Sequence, residues 1–274
     1  MNKKTIRTIL LMTLLVWAPS FFRIFLGAVE EESQMRSLEN FLRKAAVIAV
    51  EKDTVGGRTA PWLVTLVEGS VKRRAIFKYI DSPRPSLVPS SYKYELAAYE
   101  LTKLLGIEIV PPVIEREVNG RTGSLQVYLE NCRNLKDTER KKLEPPDPEA
   151  LANAIEEVRV FENLTYDECQ NKSDMLIHRD TWKVCRVDFA DAFSAVPELI
   201  PDCDIVRCSR RLYQGLLQLS EETVKSSLAP YLNPDEINAL IARKNLIVAK
   251  IKALIEAKGE DAVLFSQRPG KSNG

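Results

Sequence analysis

The prevailing spacing of apolar residues changes along this chain, and that change limits what it can fold into. In the first half the spacing is mostly that of strands. "WLVTLVEGSVKRRAIFKYID" reads as two strands about a turn at Glu68-Gly69-Ser70, and "IVPPVIEREVNGRTGSLQVYLE" as two more about Asn119-Gly120. From Pro148 onward the spacing is mostly helical, as in "DPEALANAIEEVRVFENL" and "NPDEINALIARKNLIVAKIKALIEAKG". Strands first and helices afterwards make an α+β fold. The 274 residues suffice for one large domain or for two lobes sharing a core.

Punctuation residues place the remaining boundaries. Residues 35–47 read as a helix leading into the strand "AAVIAVEKD", and "TVGGRTAP" is a turn that Gly56 and Gly57 permit. After the proline-rich loop "SPRPSLVPSS", Ser91 caps the helix "YKYELAAYELTKLL", which Gly106 stops. The stretch "RNLKDTERKKLEPPDP" is charged, carries proline and has no apolar period, so it reads as a linker or mobile loop. Asp147 caps the helix that follows. Asn233 and Pro234 open the last long helix and Gly259 ends it. The expected organisation is a β-rich N-lobe over 35–132, a linker over 133–147, an α-helical C-lobe over 148–265 and a flexible tail over 266–274. A cleft between two such lobes is a favoured place for a nucleotide.

The first 28 residues stand apart. Lys3, Lys4 and Arg7 precede the apolar "ILLMTLLVWAPSFF", the layout of an export signal. Leu26 fits poorly ahead of a cleavage point after Ala28, so an uncleaved membrane anchor is the alternative. Pro19, Ser20 and Arg23 interrupt the ~20 apolar residues that a full span needs. A buried amphipathic helix is a third reading. The segment predicts an exported protein: periplasmic, extracellular or membrane-anchored.

Charge and rare residues narrow the chemistry. A net charge of +1 gives no field that would draw nucleic acid. His178 is the one histidine, which excludes multi-histidine metal sites. The five cysteines, Cys132, Cys169, Cys185, Cys203 and Cys208, form no C-x-x-C pair, which argues against zinc. Cys203 and Cys208 are close enough in sequence to form a disulfide in an oxidising compartment; two unrelated thiols are the alternative. Asn163 and Asn171 match the glycosylation pattern, but both lie in a segment that reads as core, which favours chance.

Four charged residues suggest phosphoryl-transfer chemistry, which asks for a cation on phosphates and for metal ions more than for covalent help. Lys78 lies in the apolar strand "RRAIFKYI", where its charge is costly unless paired, and Glu95 on the next helix is the natural partner. The alternative is a solvent-facing lysine on an edge strand. Asp188 ends the apolar run Val184–Val187, a good position for a ligand to a hard cation. Asp174 precedes the run Met175–Ile177. If the two runs form a hairpin, both carboxylates can share one metal; otherwise they are turn aspartates.

The segments "AIFKYI", "SSYKYELAAYELTKLLGIEIVPPVIEREVNGRTGSLQVYLEN", "VFENL", "WKVCRVDFADAF" and "LAPYLNPDEINALIARKNLIVAKIKALIEAKGEDAVLF" together resemble a bacterial family of atypical kinase-fold proteins. That family is similar to HipA-type kinases, Golgi casein kinases and phosphatidylinositol 3-/4-kinase-like proteins. The resemblance runs from about Phe41 to Phe265. It implies a two-lobe, protein-kinase-like (atypical kinase) fold and ATP with Mg or Mn as cofactor. It also implies that Lys78 holds the nucleotide phosphates, that Glu95 orients it and that Asp188 binds the metal. The family's catalytic loop, Asn-Thr-Asp-Arg-Asn-x-x-Asn, aligns with "DECQNKSD". Cys169 then stands at the catalytic aspartate and Asp174 at the metal-binding asparagine. Loss of a general base typically costs about 10²–10⁴ in rate. The resemblance therefore implies a pseudokinase or a nucleotide-binding scaffold for an unknown protein partner, with Asp167 as the nearest substitute base. An active atypical kinase or nucleotidyl transferase is the alternative. A Cys169–His178 catalytic pair is disfavoured, because His178 lies past a strand end.

Overall fold

The computed structural model describes residues 33–52, 56, 58–83, 89–169 and 171–266. The export segment over 1–28, Gly57, the centre of the proline-rich loop and all but Ser266 of the tail lie outside the described residues. Contacts divide the chain into two units, Met1–Phe41 and Leu42–Gly274. In the first, residues 33–41 are helical. That helix, α1, runs to residue 44, so its last turn belongs to the second unit. Apart from residues 35–41, the expected N-lobe belongs to the second unit, as do the expected C-lobe and the stretch between them.

The fold is mixed α+β. Five strands make the main sheet, in the order β1-β2-β3-β7-β6: β1 (Ala46–Glu51), β2 (Trp62–Glu68), β3 (Val71–Lys78), β6 (Val113–Val118) and β7 (Arg121–Val127). All the pairings are antiparallel. The β6–β7 turn places Asn119 and Gly120 at φ 50° and 75°, the pair of positive angles that an Asn-Gly hairpin supplies. A two-residue pair, β4 (Asp81–Ser82) with β5 (Ser90–Ser91), flanks the proline-rich loop.

Helix α2 (Tyr92–Leu105) packs on β6 and β7. The Ser91 hydroxyl accepts from the Lys93 N–H at its start, and Gly106 ends it at φ 67°. Its burial extends beyond one apolar face, because helices from the second half cover its other side: α5 (Arg210–Gln218) and α6 (Glu221–Leu228) both touch it. Gly215 marks the closest approach; a Cβ there would come within 2.4 Å of the Leu105 carbonyl oxygen.

The stretch expected as a linker is structured. It contains β8 (Cys132–Asn134) and α3 (Leu135–Arg140), capped by the Asn134 side chain on the Asp137 N–H. Both elements are too short to show an apolar period, and β8 gains its stability by pairing with β9. Helix α4 (Pro148–Thr165) follows, with Asp147 as its cap. Then come β9 (Met175–His178) and β10 (Val184–Arg186), which form an antiparallel hairpin. A parallel pair, β11 (Cys208–Ser209) with β12 (Leu264–Phe265), bounds the final helices α7 (Pro234–Lys258) and α8 (Glu260–Val263). A complete capping box starts α7: Asn233 accepts from the Glu236 N–H, and Glu236 accepts from the Asn233 N–H. Among the described residues no helix is long and apolar enough to cross a membrane.

Candidate functional site

Three of the residues singled out in the sequence meet at one point. Lys78, at the end of β3, donates to Glu95 Oε1 at 2.5 Å and to Asp188 Oδ1 at 2.7 Å. The alternative of a solvent-facing lysine is thereby corrected: the Lys78 side chain is 11% exposed and β3 lies inside the sheet, between β2 and β7. Gly123 lets β7 lie this close to β3, because a Cβ there would come within 2.2 Å of the Lys78 carbonyl oxygen. Burial works against the lysine charge, but Glu95 and Asp188 outweigh it and hold its pKa above the ordinary lysine value.

Glu95 is buried on α2 and accepts a second hydrogen bond, from the Phe189 N–H at 3.1 Å. Asp188 takes φ 69°, a left-handed angle that aspartate tolerates better than most residues. The chain turns sharply there, which aims the Asp188 carboxylate at Lys78 and the next N–H at Glu95. The Ser91 N–H donates to the Ala190 carbonyl at 2.8 Å and ties the same turn to the start of α2. Desolvation opposes the Asp188 charge, but Lys78 holds its carboxyl below the usual range.

The hairpin condition for Asp174 is met. Arg186 pairs with Met175, and the Val187 N–H donates to the Asp174 carbonyl at 3.0 Å, so Asp174 and Asp188 both lie at the open end of the hairpin. Asn171 Nδ2 bridges Asp174 Oδ2 at 2.6 Å and Glu168 Oε2 at 3.0 Å. Burial, with Asp188 adding to it against the pull of Arg186, pushes the Asp174 carboxyl up to about 6. Among the described residues no three His, Cys, Asp or Glu side chains are grouped to hold a metal alone. Mg²⁺ asks for less: one or two carboxylates, with water and phosphate completing its shell.

The loop expected to hold the base is built differently. Cys169 forms a disulfide with Cys203, their Cα atoms 6.0 Å apart. This corrects the expected Cys203–Cys208 pairing. Pairing with β12 holds Cys208 in β11, where it is buried and carries no disulfide. A disulfide sulfur has no proton to lose and no thiolate to offer, which also removes a Cys169–His178 pair. Asp167, the nearest substitute for the base, is buried, and its Oδ2 accepts from Arg186 at 2.6 Å. The first glycosylation match is buried as well, since Asn163 Nδ2 donates to the Arg159 and Cys203 carbonyls.

Arg186 was missed in the sequence. It lies in β10, 1% exposed, and also donates to Glu162 Oε1 at 3.1 Å and to the Val187 carbonyl. Its Nη1 is 3.6 Å from Asp174. Three carboxylates therefore face one guanidinium; burial, with Glu162 adding to it against the pull of Arg186, pushes the Asp167 carboxyl up to about 7. The available signal was the arginine inside the short apolar run "VCRV", since a buried cation must be paired.

No protein-family model matches the chain, and no curated protein matches it. Solved structures do resemble it, among them the open conformation of CtTel1, at 12% identity and a TM-score of 0.41. That likeness covers 77% of this chain and 12% of the other, so this chain spans about an eighth of that protein's length.

Proposed function

We propose that this chain is an exported protein of two-lobe, kinase-like fold that binds ATP with Mg²⁺ or Mn²⁺ and is impaired in phosphoryl transfer. One observation carries the reading: Lys78 lies 2.5 Å from Glu95 and 2.7 Å from Asp188, so a cation suited to phosphates is already oriented beside a carboxylate suited to a metal. Charge supports the cofactor. Lys78 faces Glu95 and Asp188, with Asp174 nearby, so the cluster has negative charge to spare and a divalent cation would balance it. The residues thus fit metal–nucleotide, with Asp174 and Asp188 holding the metal and Lys78 the phosphates. Impairment follows from Cys169, whose sulfur is engaged with Cys203 at the position of the base. A disulfide also suits an oxidising compartment, in line with the export segment.

A second reading, an active atypical kinase or nucleotidyl transferase, has one observation in its favour. Glu168 is exposed and is held through Asn171 beside Asp174, so a carboxylate is at hand to take a proton.

The test is thermal stability of the full chain with and without ATP and Mg²⁺ or Mn²⁺. A ligand bound by the folded state alone adds roughly 2.7 kcal/mol at a hundredfold excess over Kd. A metal-dependent rise in Tm that Asp188→Ala abolishes supports the reading, and no shift with any nucleotide overturns it. Robust phosphate transfer that Glu168→Gln removes would select the second reading.

A further inference from the structure

We propose that Arg58 is a phosphate-binding residue of the nucleotide site and that Asp191 occupies it until a nucleotide arrives. The inference rests on the nucleotide reading above and adds a residue and a regulating contact to it. Arg58 lies on the connection between β1 and β2, and its Nη2 forms an ion pair with Asp191 Oδ2 across a separation of 133 residues. Asp191 sits three residues after Asp188. The Ala192 N–H donates to the Phe189 carbonyl at 3.0 Å, so the chain turns back on itself there and keeps Asp191 beside the Asp188 turn. Arg58 is thereby tied by a carboxylate to the segment that follows Asp188.

The charges around the Asp188 turn give the contact its purpose. Lys78 is engaged by two carboxylates, and Arg186 is sealed among Glu162, Asp167 and Asp174. A polyphosphate needs more positive charge than Lys78 and one metal ion bring. A guanidinium is suited to the task, because its planar fork matches phosphate as well as carboxylate. Both partners of the pair are about half exposed, at 50% and 52%. Such surface pairs are weak, so a phosphate can replace the carboxylate at little cost. Asp191 acts as an internal competitor: it lowers nucleotide affinity and keeps Arg58 aimed at the site.

The experiment is calorimetric titration of Mn-ATP, and separately of adenosine, into the full chain and three variants. Asp191→Asn is expected to tighten Mn-ATP about two- to fivefold, the worth of a surface ion pair. Arg58→Ala is expected to weaken it about tenfold, the loss of one charge-assisted hydrogen bond. In the double variant the gain from Asp191→Asn should vanish, and adenosine should bind all four proteins alike. If wild type binds Mn-ATP and the variants match it, the Arg58 assignment is wrong while the nucleotide site stands. If Asp191→Asn still tightens binding without Arg58, Asp191 acts by repelling phosphate directly, and the exchange is overturned. Binding by none of the four overturns the nucleotide reading and this inference together.

Discussion

Two charge clusters lie at the open end of the β9–β10 hairpin, and they differ in charge balance and in access to solvent. The cluster around Lys78 has one cation and two carboxylates, and Asp188 is 53% exposed. The cluster around Arg186 has one cation and three carboxylates; Arg186, Glu162 and Asp167 are 1%, 0% and 5% exposed. A buried ion pair is a weak source of stability against an apolar replacement, but breaking one from a single side is costly. The sealed cluster thus fixes the loop from Asp167 to Asp174 onto the hairpin. The open one has a carboxylate, Asp188, that solvent reaches. Asp174 belongs to both, so the rigid cluster positions a carboxylate of the accessible one.

The largest effect expected from breaking this arrangement is at Arg186. Arg186→Met leaves Glu162 and Asp167 buried without their cation and should cost about 3–5 kcal/mol in denaturant unfolding. If it costs no more than a surface substitution, the cluster is not sealed in solution. Next comes the disulfide. It closes a separation of 34 residues, and Cys203→Ser is expected to cost about 2–4 kcal/mol on the loop-entropy argument. Reduction of the wild type should reproduce that loss, and an unchanged Tm on reduction would show that the bond does not form.

Lys78→Met should cost less, about 1–3 kcal/mol. Glu95 loses one partner but keeps the Phe189 N–H, and Asp188 turns to water. The same variant should abolish any Tm rise with Mn-ATP; a full rise would remove Lys78 from the site.

A last test sharpens the comparison through pH. Burial raises the Asp167 carboxyl to about 7 in the folded protein, against an ordinary value of 3.8. The folded state therefore holds a proton that the unfolded chain releases. The stability this contributes is complete below about pH 4 and is lost as pH rises through 7. Asp167→Asn should flatten that part of the Tm–pH curve; an identical slope in wild type and variant would mean that Asp167 stays charged throughout.

The site was legible in parts. Lys78 and Glu95 could be paired from sequence because a lysine in an apolar strand needs a partner and the next helix offers one, 17 residues away. That Asp174 and Asp188 flank one hairpin was legible as a condition, and the pairing of β9 with β10 meets it. Arg58 gave no signal, because an arginine in a glycine-containing turn is an ordinary surface residue until its partner is known. The elements β8 and α3 were unreadable for another reason: three and six residues carry too little periodicity, and what holds β8 is a strand more than forty residues further on.

Local patterning alone determined the longer strands and helices and the caps at Ser91, Asp147 and Asn233, because spacing and capping act within a few residues. The partners of cysteines and buried charges were decided by the tertiary structure. Cys169 had four other cysteines to choose from, and packing brought Cys203 to it. Asp167 reads as an available carboxylate until β10 brings Arg186 against it, 19 residues away. The reason is physical. A side chain's charge state and reactivity depend on what surrounds it in space, and for these residues the surroundings come from distant parts of the chain.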